Sequence, residues 1–212
     1  MLLYGVNASG KSSLMKSVGL NIILAQAGFY VAAEEFIFYP YEYIFTRIGN
    51  LDNLFKGQST FAVEMSELRN ILKRSNKNSL ILGDELCSGT ESVSAISIVS
   101  SGVISLAKKK SNFIFATHLH HLGKIKQVQE LSNVSMFHLK VKYDPETKEL
   151  IYDRNLTPGS GEAIYGLEVC KAMDMEPDFI KMANQIRQEM LEIDSNILTD
   201  NKSKYNSQVY VQ

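Results

Sequence analysis

Five side chains could act together if the fold gathers them: Lys11, Ser12, Asp84, Glu85 and His118. Two of them belong to Gly5-Val6-Asn7-Ala8-Ser9-Gly10-Lys11-Ser12, which fits the pattern GxxxxGK[ST] at every fixed position. A loop of this kind turns backbone N–H groups onto phosphate, and its glycines allow close approach. The ligand it implies is a nucleoside triphosphate, ATP, with Mg²⁺. Lys11 would reach the β/γ-phosphates, and the Ser12 hydroxyl would sit on the metal. Gly5, Asn7, Ala8, Ser9, Gly10 and Ser13 complete the expected nucleotide contacts.

A second acidic signal lies downstream. Leu80-Ile81-Leu82-Gly83 is apolar and is followed by Asp84-Glu85. A buried strand would deliver Asp84 beside the magnesium, to hold metal-bound water. Glu85, one residue on, could orient and polarise the attacking water. His118 ends the next apolar run and could hydrogen-bond the γ-phosphate or that water. His118, His120 and His121 do not have zinc-ligand spacing; the latter two read as polar residues starting a helix. Cys87 reads as a small buried thiol rather than a redox centre.

The elements that must position these groups follow from periodicity. Met1-Leu2-Leu3-Tyr4 is the end of a buried strand, and a helix follows from about Ser12 to Ala27. Leu14, Val18, Ile22 and Ala25 share one face of it, and Gly28 suits its C-terminal cap. Phe29 to Arg47, rich in aromatics, predicts short strands broken at Pro40, mostly core, with one ring free to stack on adenine. A loop spans Gly49 to Gly57. A helix from about Thr60 to Arg74 aligns Met65, Leu68 and Leu72. Strands over Ser79–Asp84 and Asn112–Ala116 flank a helix over Ser92–Lys109. A hairpin turns at Asp144-Pro145, between Val134–Tyr143 and Glu149–Leu156. Helices over about Ala163–Met173 and Pro177–Ile193 follow, with Pro177 in a first turn. The expectation is an α/β fold, a mainly parallel sheet flanked by helices, with an antiparallel hairpin and a C-terminal helical pair. Residues 1–160 would form the core, 161–194 helices for dimer contact, and 195–212 a polar tail.

Composition bounds the rest. The chain has 212 residues, 45% hydrophobic, with a net charge of −1, long enough for a full core. That balance leaves no electrostatic footprint for nucleic acid, so any grip on DNA would lie elsewhere. Two cysteines and no secretion signal indicate a reducing intracellular compartment, with cytoplasm, nucleus and organelle all open. No apolar run reaches membrane-spanning length, so no membrane partner is expected. A phosphate loop at residue 5 leaves almost no first strand, which suggests a longer protein cut just before it.

Taken together, these residues resemble the ATPase domain of the MutS family of DNA mismatch-recognition proteins. GVNASGKSS is similar to that family's GPNxxGKS, with Val6 in place of proline. Phe45 to Leu72, FTRIGNLDNLFKGQSTFAVEMSELRNIL, resembles its FTRIG…STF..EM block. GDELCSGTES resembles its LDE.GRGT segment, with Cys87-Ser88 for Gly-Arg; ATH and YGLEVCKAM match two more blocks. The YGLEVCKAMDM block and SKYNSQVY look most like a subgroup whose longer members append an HNH-type nuclease, although no nuclease His/Cys pattern is visible.

The resemblance implies a P-loop NTPase of the ABC-ATPase class whose two sites form between two subunits. It gives Lys11, Ser12, Asp84 and Glu85 the roles above, and places Asn7 on the γ-phosphate side. It makes Ser59 a γ-phosphate contact in trans, Ser88-Gly89-Thr90 the signalling loop, and His118 the γ-phosphate sensor. A helix starting near Ser59-Thr60 would offer free N–H groups to an anion, though Ser59 could also simply cap that helix. The final helices would clasp a second, identical subunit, and mismatched double-stranded DNA would be held by domains not in this chain. The expected function is therefore ATP hydrolysis that opens and closes a dimer on mismatched DNA. The rivals are an ABC-class ATPase in transport or chromosome maintenance, and a nucleotide-gated scaffold with little turnover. Lys56-Gly57-Gln58-Ser59-Thr60 stands where transporters carry LSGGQ, which favours MutS.

Overall fold

The structure is a computed structural model, and it describes residues 1–48, 60–161 and 166–190. The expected loop from Gly49 to Gly57, Ser59, and the tail over 195–212 lie outside the described residues. The chain divides into two compact units. One comprises Met1–Lys142 with Tyr152–Ala163, and the other Tyr143–Ile151 with Ile164–Gln212. The hairpin tip thus groups with the C-terminal helices rather than with the core.

The first unit is built on a sheet of six strands: β1 (Leu2–Tyr4), β2 (Tyr43–Arg47), β3 (Ser79–Asp84), β4 (Asn112–Thr117), β5 (Met136–Asp144) and β6 (Glu149–Pro158). Their order is β2-β3-β4-β1-β5-β6. The pairs β2–β3, β3–β4, β4–β1 and β1–β5 are all parallel. Among the described residues, only β5 and β6 are joined by a turn tight enough to reverse the chain. Asp144 makes that turn, its Oδ1 accepting from the N–H groups of Glu146 at 2.9 Å and Thr147 at 3.4 Å. The three-residue β1 lies central, as expected for a strand leading into a phosphate loop.

Parallel strands are covered on both faces, which is why they read as near-continuous apolar runs. Successive side chains alternate between two cores. Leu2, Tyr4, Ile81, Phe113 and Phe115 join Ala95, Val99, Val103 and Leu106 of α3 (Ser92–Lys108). Met65, Ile71 and Leu72 of α2 (Thr60–Arg74) pack on that side too. Leu3, Ala116, Leu80 and Leu82 face α1 (Lys11–Gln26), meeting Met15 and Ile22. Each such fully buried aliphatic side chain contributes about 1.5–3 kcal/mol. A 3₁₀ turn over His120–Lys124 and the short α4 (Lys126–Gln129) close the first face, where Leu122 and Val128 are buried.

One expectation holds with its centre shifted, and one changes. The buried line of α1 runs through Met15, Gly19 and Ile22, with Leu14, Val18 and Ala25 beside it. Gly19 is the reason: a Cβ there would meet Leu82 Cδ1 at 2.8 Å, so helix and sheet approach along this line. The aromatic stretch is not a run of core strands. Only Tyr43–Arg47 pairs, and Tyr30, Ile37 and Tyr39 lie exposed. Its alternating aromatics mimic a half-buried strand, but before β2 only Phe36 and Tyr41 reach a core edge, beside Ile22 and Leu80, while Phe45 of β2 packs on the opposite core.

The second unit holds α5 (Gly166–Ala172) and a helix over 177–190, α6. Within it Lys148 Nζ donates to Asp174 Oδ1 at 2.9 Å. Met182, Ile186 and Met190 lie at helical spacing on α6 and are all more than half exposed. Among the described residues, no helix is long and apolar enough to cross a membrane.

Candidate functional site

The carboxyl ends of β3, β4 and β1 define one edge of the sheet, the usual ligand edge of an open parallel sheet. Registry places the chemistry there. Asp84 pairs with Ala116, and Tyr4, last residue of β1, pairs with Thr117. The phosphate loop leaves β1 directly and His118 leaves β4 directly. Asn7, Ala8, Gly10, Lys11, Ser12, Ser13, Asp84 and Glu85 line one cavity of about 400 Å³. Six residues of the loop and the acidic pair from β3, separated by more than seventy residues of chain, are thereby brought together.

The loop geometry requires its small residues. Gly10 has φ 105°, and a Cβ on Gly5 would meet Ser9 Oγ at 2.7 Å. Ser9 is buried, with its Oγ close against Gly5. Helix α1 starts at Lys11 with no side chain capping its free N–H groups and no acid in its first turn. In contrast α3 is capped by Glu91, whose carboxylate accepts from Val93 N at 2.7 Å and Ser94 N at 2.9 Å. An open, uncapped N-terminus carries partial positive charge suited to an anion.

Lys11 is buried, and its Nζ donates to the carbonyl oxygens of Gly5 at 2.7 Å and Val6 at 3.1 Å. Glu85 Oε1 lies 3.7 Å from the same ammonium, an ion pair too long for a hydrogen bond. Burial pushes the Lys11 pKa below the ordinary lysine value, while the charges of Glu85 and Asp84 push back. Ser12 Oγ donates to Asp84 Oδ2. The other oxygen, Asp84 Oδ1, is buried with no hydrogen-bond partner. An unpartnered buried carboxylate oxygen beside a hydroxyl is a hard-oxygen donor set, and it fits a magnesium ion that keeps most of its waters. No cluster of three or more His, Cys, Asp or Glu suited to a metal occurs among the described residues.

The segment after Asp84 is strained. Glu85 has φ 48° and Cys87 φ 64°, left-handed values that cost of order 1–3 kcal/mol each outside glycine. Cys87, which stands where the resembling family has glycine, carries that strain as a buried thiol. Its pKa is pushed up to about 11, chiefly by burial and then by the charge of Glu64. Beyond it, Ser88 and Gly89 are exposed in successive turns. His118 is exposed and does not line the cavity. Its carbonyl accepts from His120 N at 2.9 Å, which starts the short 3₁₀ turn.

Two residues escaped sequence reasoning. Glu64 lies on the apolar stripe of α2, at i+3 from Phe61 and i−4 from Leu68, and is itself buried. An acid on a core stripe was the available signal. Arg154, on β6, lines a second cavity of about 250 Å³ with Ala8, Ser9, Gly10, Ser13, Leu14 and Leu139. Nothing in its local sequence marks it, because the hairpin brings it there from far along the chain.

The sequence model of the family described as MutS domain V matches residues 1–191. A protein named as a mutS homolog of DNA mismatch repair, from Acanthamoeba polyphaga mimivirus, is 45% identical over the whole chain, which covers 19% of its length. The mitochondrial DNA mismatch repair protein mutS homolog of Sarcophyton glaucum is 41% identical, again over the whole chain and 21% of its own length. The DNA mismatch repair protein MutS of Finegoldia magna is 38% identical over 92% of the chain and 22% of its own length. The chain therefore spans about a fifth of these relatives, and none of the three has nuclease in its name. With the phosphate loop, the acid-tipped β3 and the parallel sheet all in place and the match running along residues 1–191, the chain belongs to the MutS domain V family and has its P-loop ATPase fold.

Proposed function

We propose that this chain hydrolyses the β–γ bond of ATP and that the hydrolysis cycle opens and closes a dimer acting in DNA mismatch repair. The observation that carries this reading is the single cavity shared by the loop from Asn7 to Ser13 and the acidic pair Asp84 and Glu85. Lys11 would exchange the carbonyls of Gly5 and Val6 for phosphate oxygens. Loop amides and the start of α1 would hold the remaining charge. Ser12 and Asp84 would hold Mg²⁺, which when bound neutralises charge on the phosphates. Glu85 would orient water for in-line attack, and His118, on the same sheet edge, would sense the γ-phosphate. The contribution is positioning and electrostatics, with no covalent step on the protein.

The dimer reading rests on the family and on the exposed face of Met182, Ile186 and Met190, since apolar rows of this kind mark contact surfaces. Ser59 would complete the partner's site. Mismatched DNA would be held by other parts of the protein, in an intracellular compartment. The test is ATP turnover per mole across a wide protein concentration range, with Glu85→Ala and Ser59→Ala run separately and mixed. Specific activity that rises with concentration, partly restored on mixing, is the expected result. Activity independent of concentration, without rescue, would mean each chain works alone.

A further inference from the structure

We propose that Glu64 is a positioning residue for hydrolysis: from helix α2 its carboxylate holds the backbone of Cys87 and so fixes the aim of Glu85. The inference rests on the ATPase reading for its consequence, but on the geometry for its cause. Glu64 is only 5% exposed, and its Oε1 accepts from the Cys87 N–H at 2.8 Å in a buried hydrogen bond. Packing alone does not call for an acid there, because Phe61, Met65, Leu68 and Ile71 already supply the apolar stripe. Burying a carboxylate is costly unless a specific partner is gained, and the partner is the strained turn beside the cavity.

That turn has two ties. At its start the Glu85 N–H donates to the Ala116 carbonyl of β4 at 2.9 Å. At its end Cys87 is held by Glu64. Between them Leu86 is buried, and both flanking residues have left-handed φ. Two left-handed non-glycine residues persist only where their surroundings over-determine them. With Glu64 removed, the Ala116 tie alone would leave Glu85 free to relax, and its carboxylate would leave the position that faces Lys11.

Helix α2 is itself fixed. Arg47 Nε pairs with Glu67 Oε2 at 2.8 Å, tying it to β2. Lys109 Nζ donates to the carbonyl oxygens of Leu72 and Ser75 at its C-terminal end. A pinned helix that starts at Thr60 thus grips the catalytic turn directly. A displacement of α2 would therefore pull on the turn that carries Glu85, through the Glu64 hydrogen bond and the packing around Leu86 and Cys87.

The experiment compares wild type, Glu64→Ala, Glu64→Gln and Lys11→Ala in the 212-residue chain. It reads kcat and KM for ATP, the Kd of a non-hydrolysable ATP analogue, and hydrogen exchange at the Cys87 amide. Misplacement of about 1 Å costs about 10²-fold in rate, so Glu64→Ala should lower kcat by that order while KM and analogue Kd stay within about threefold. Glu64→Gln keeps the acceptor oxygen and should restore most of kcat. Exchange at Cys87 should accelerate in the alanine variant and stay slow in the glutamine one. If Glu64→Ala does not fold, Glu64→Asp, whose carboxylate is one methylene short, takes its place with the same split between kcat and binding. Wild-type kcat in the alanine variant, or unchanged exchange at Cys87, overturns the proposal. Absence of any Lys11-dependent turnover in wild type would instead sink the ATPase reading, and the exchange measurement would still decide whether Glu64 holds the turn.

Discussion

The ammonium of Lys11 donates to the carbonyl oxygen of Gly5, six residues before it, at 2.7 Å. The lysine of the phosphate loop is thus held by the loop's own backbone, in a buried position facing Glu85. The arrangement keeps it in place for an incoming anion, but its charge is only partly compensated.

A pH dependence follows. In the free protein burial lowers the Lys11 pKa below 10.5. A bound triphosphate would raise it again, since an adjacent anion favours the charged form. Between those two values the complex binds more protons than the free protein. ATP binding should therefore take up protons on the alkaline side, and affinity should fall as pH rises through that window. The same depressed pKa means the unfolded chain binds more protons there, so this group alone makes stability rise with pH as it approaches 10.5. Calorimetric titration of ATP in two buffers of different ionisation heat would measure the uptake. Lys11→Met should abolish it along with most of the affinity; persistent uptake in that variant would assign the proton to another group.

Asp84 should act through the metal rather than through the nucleotide. Its Oδ1 is buried without a partner and its Oδ2 accepts from Ser12. Asp84→Asn keeps the shape and removes the charge. Mg²⁺ should tighten ATP binding to wild type by about tenfold or more and leave the variant nearly unaffected, as expected when a carboxylate and substrate phosphates share the ion. Metal-free binding should be similar in both. Equal enhancement by Mg²⁺ in the two proteins would remove Asp84 from the metal site.

The loop and acidic pair were legible because their chemistry is local: a glycine pattern with lysine and serine, and an acid after an apolar strand. Ser79–Asp84 and the α2 start at Thr60 match the expected boundaries, since apolar runs and period-3.6 stripes decide both. The stretch before Tyr43 misled because alternation of aromatics is only a correlate of pairing, and no partner strand for it occurs among the described residues. Glu64 and Arg154 were illegible for a related reason. Their roles come from long-range packing, which brings α2 under Cys87 and β6 beside the loop.

Arg154 makes the second cavity a candidate site for the nucleotide's base. The space beside Ala8, Ser9 and Ser13 has apolar walls from Leu14 and Leu139 and a guanidinium at its rim. A flat cation of this kind stacks on an aromatic ring. Arg154 should therefore contact the nucleotide's base. Arg154→Ala should weaken ATP binding by about three- to tenfold, the value of one partly exposed stacking contact, with kcat at saturation unchanged. It should leave inorganic triphosphate binding as it is. Equal weakening toward triphosphate would place the guanidinium on phosphate instead.

The two thiols should differ sharply in reactivity. Cys87 is 1% exposed, and its pKa is raised to about 11 by burial and the charge of Glu64. The thiolate is the reactive form, so both access and ionisation work against it. Cys170 is partly exposed on α5. At mildly alkaline pH a maleimide should label Cys170 much faster than Cys87, because burial and the raised pKa both hold Cys87 back. Because the folded pKa of Cys87 lies above the ordinary 9.0, the folded state holds its proton more tightly, and this thiol makes stability fall as pH rises from about 9 to about 11. Glu64→Gln removes one of the two causes of the shift while keeping the hydrogen bond. Cys87 labelling should then quicken only modestly, because desolvation remains the larger cause. Rapid labelling in wild type would show that the turn after Glu85 opens often, which a site depending on the aim of that carboxylate could not tolerate.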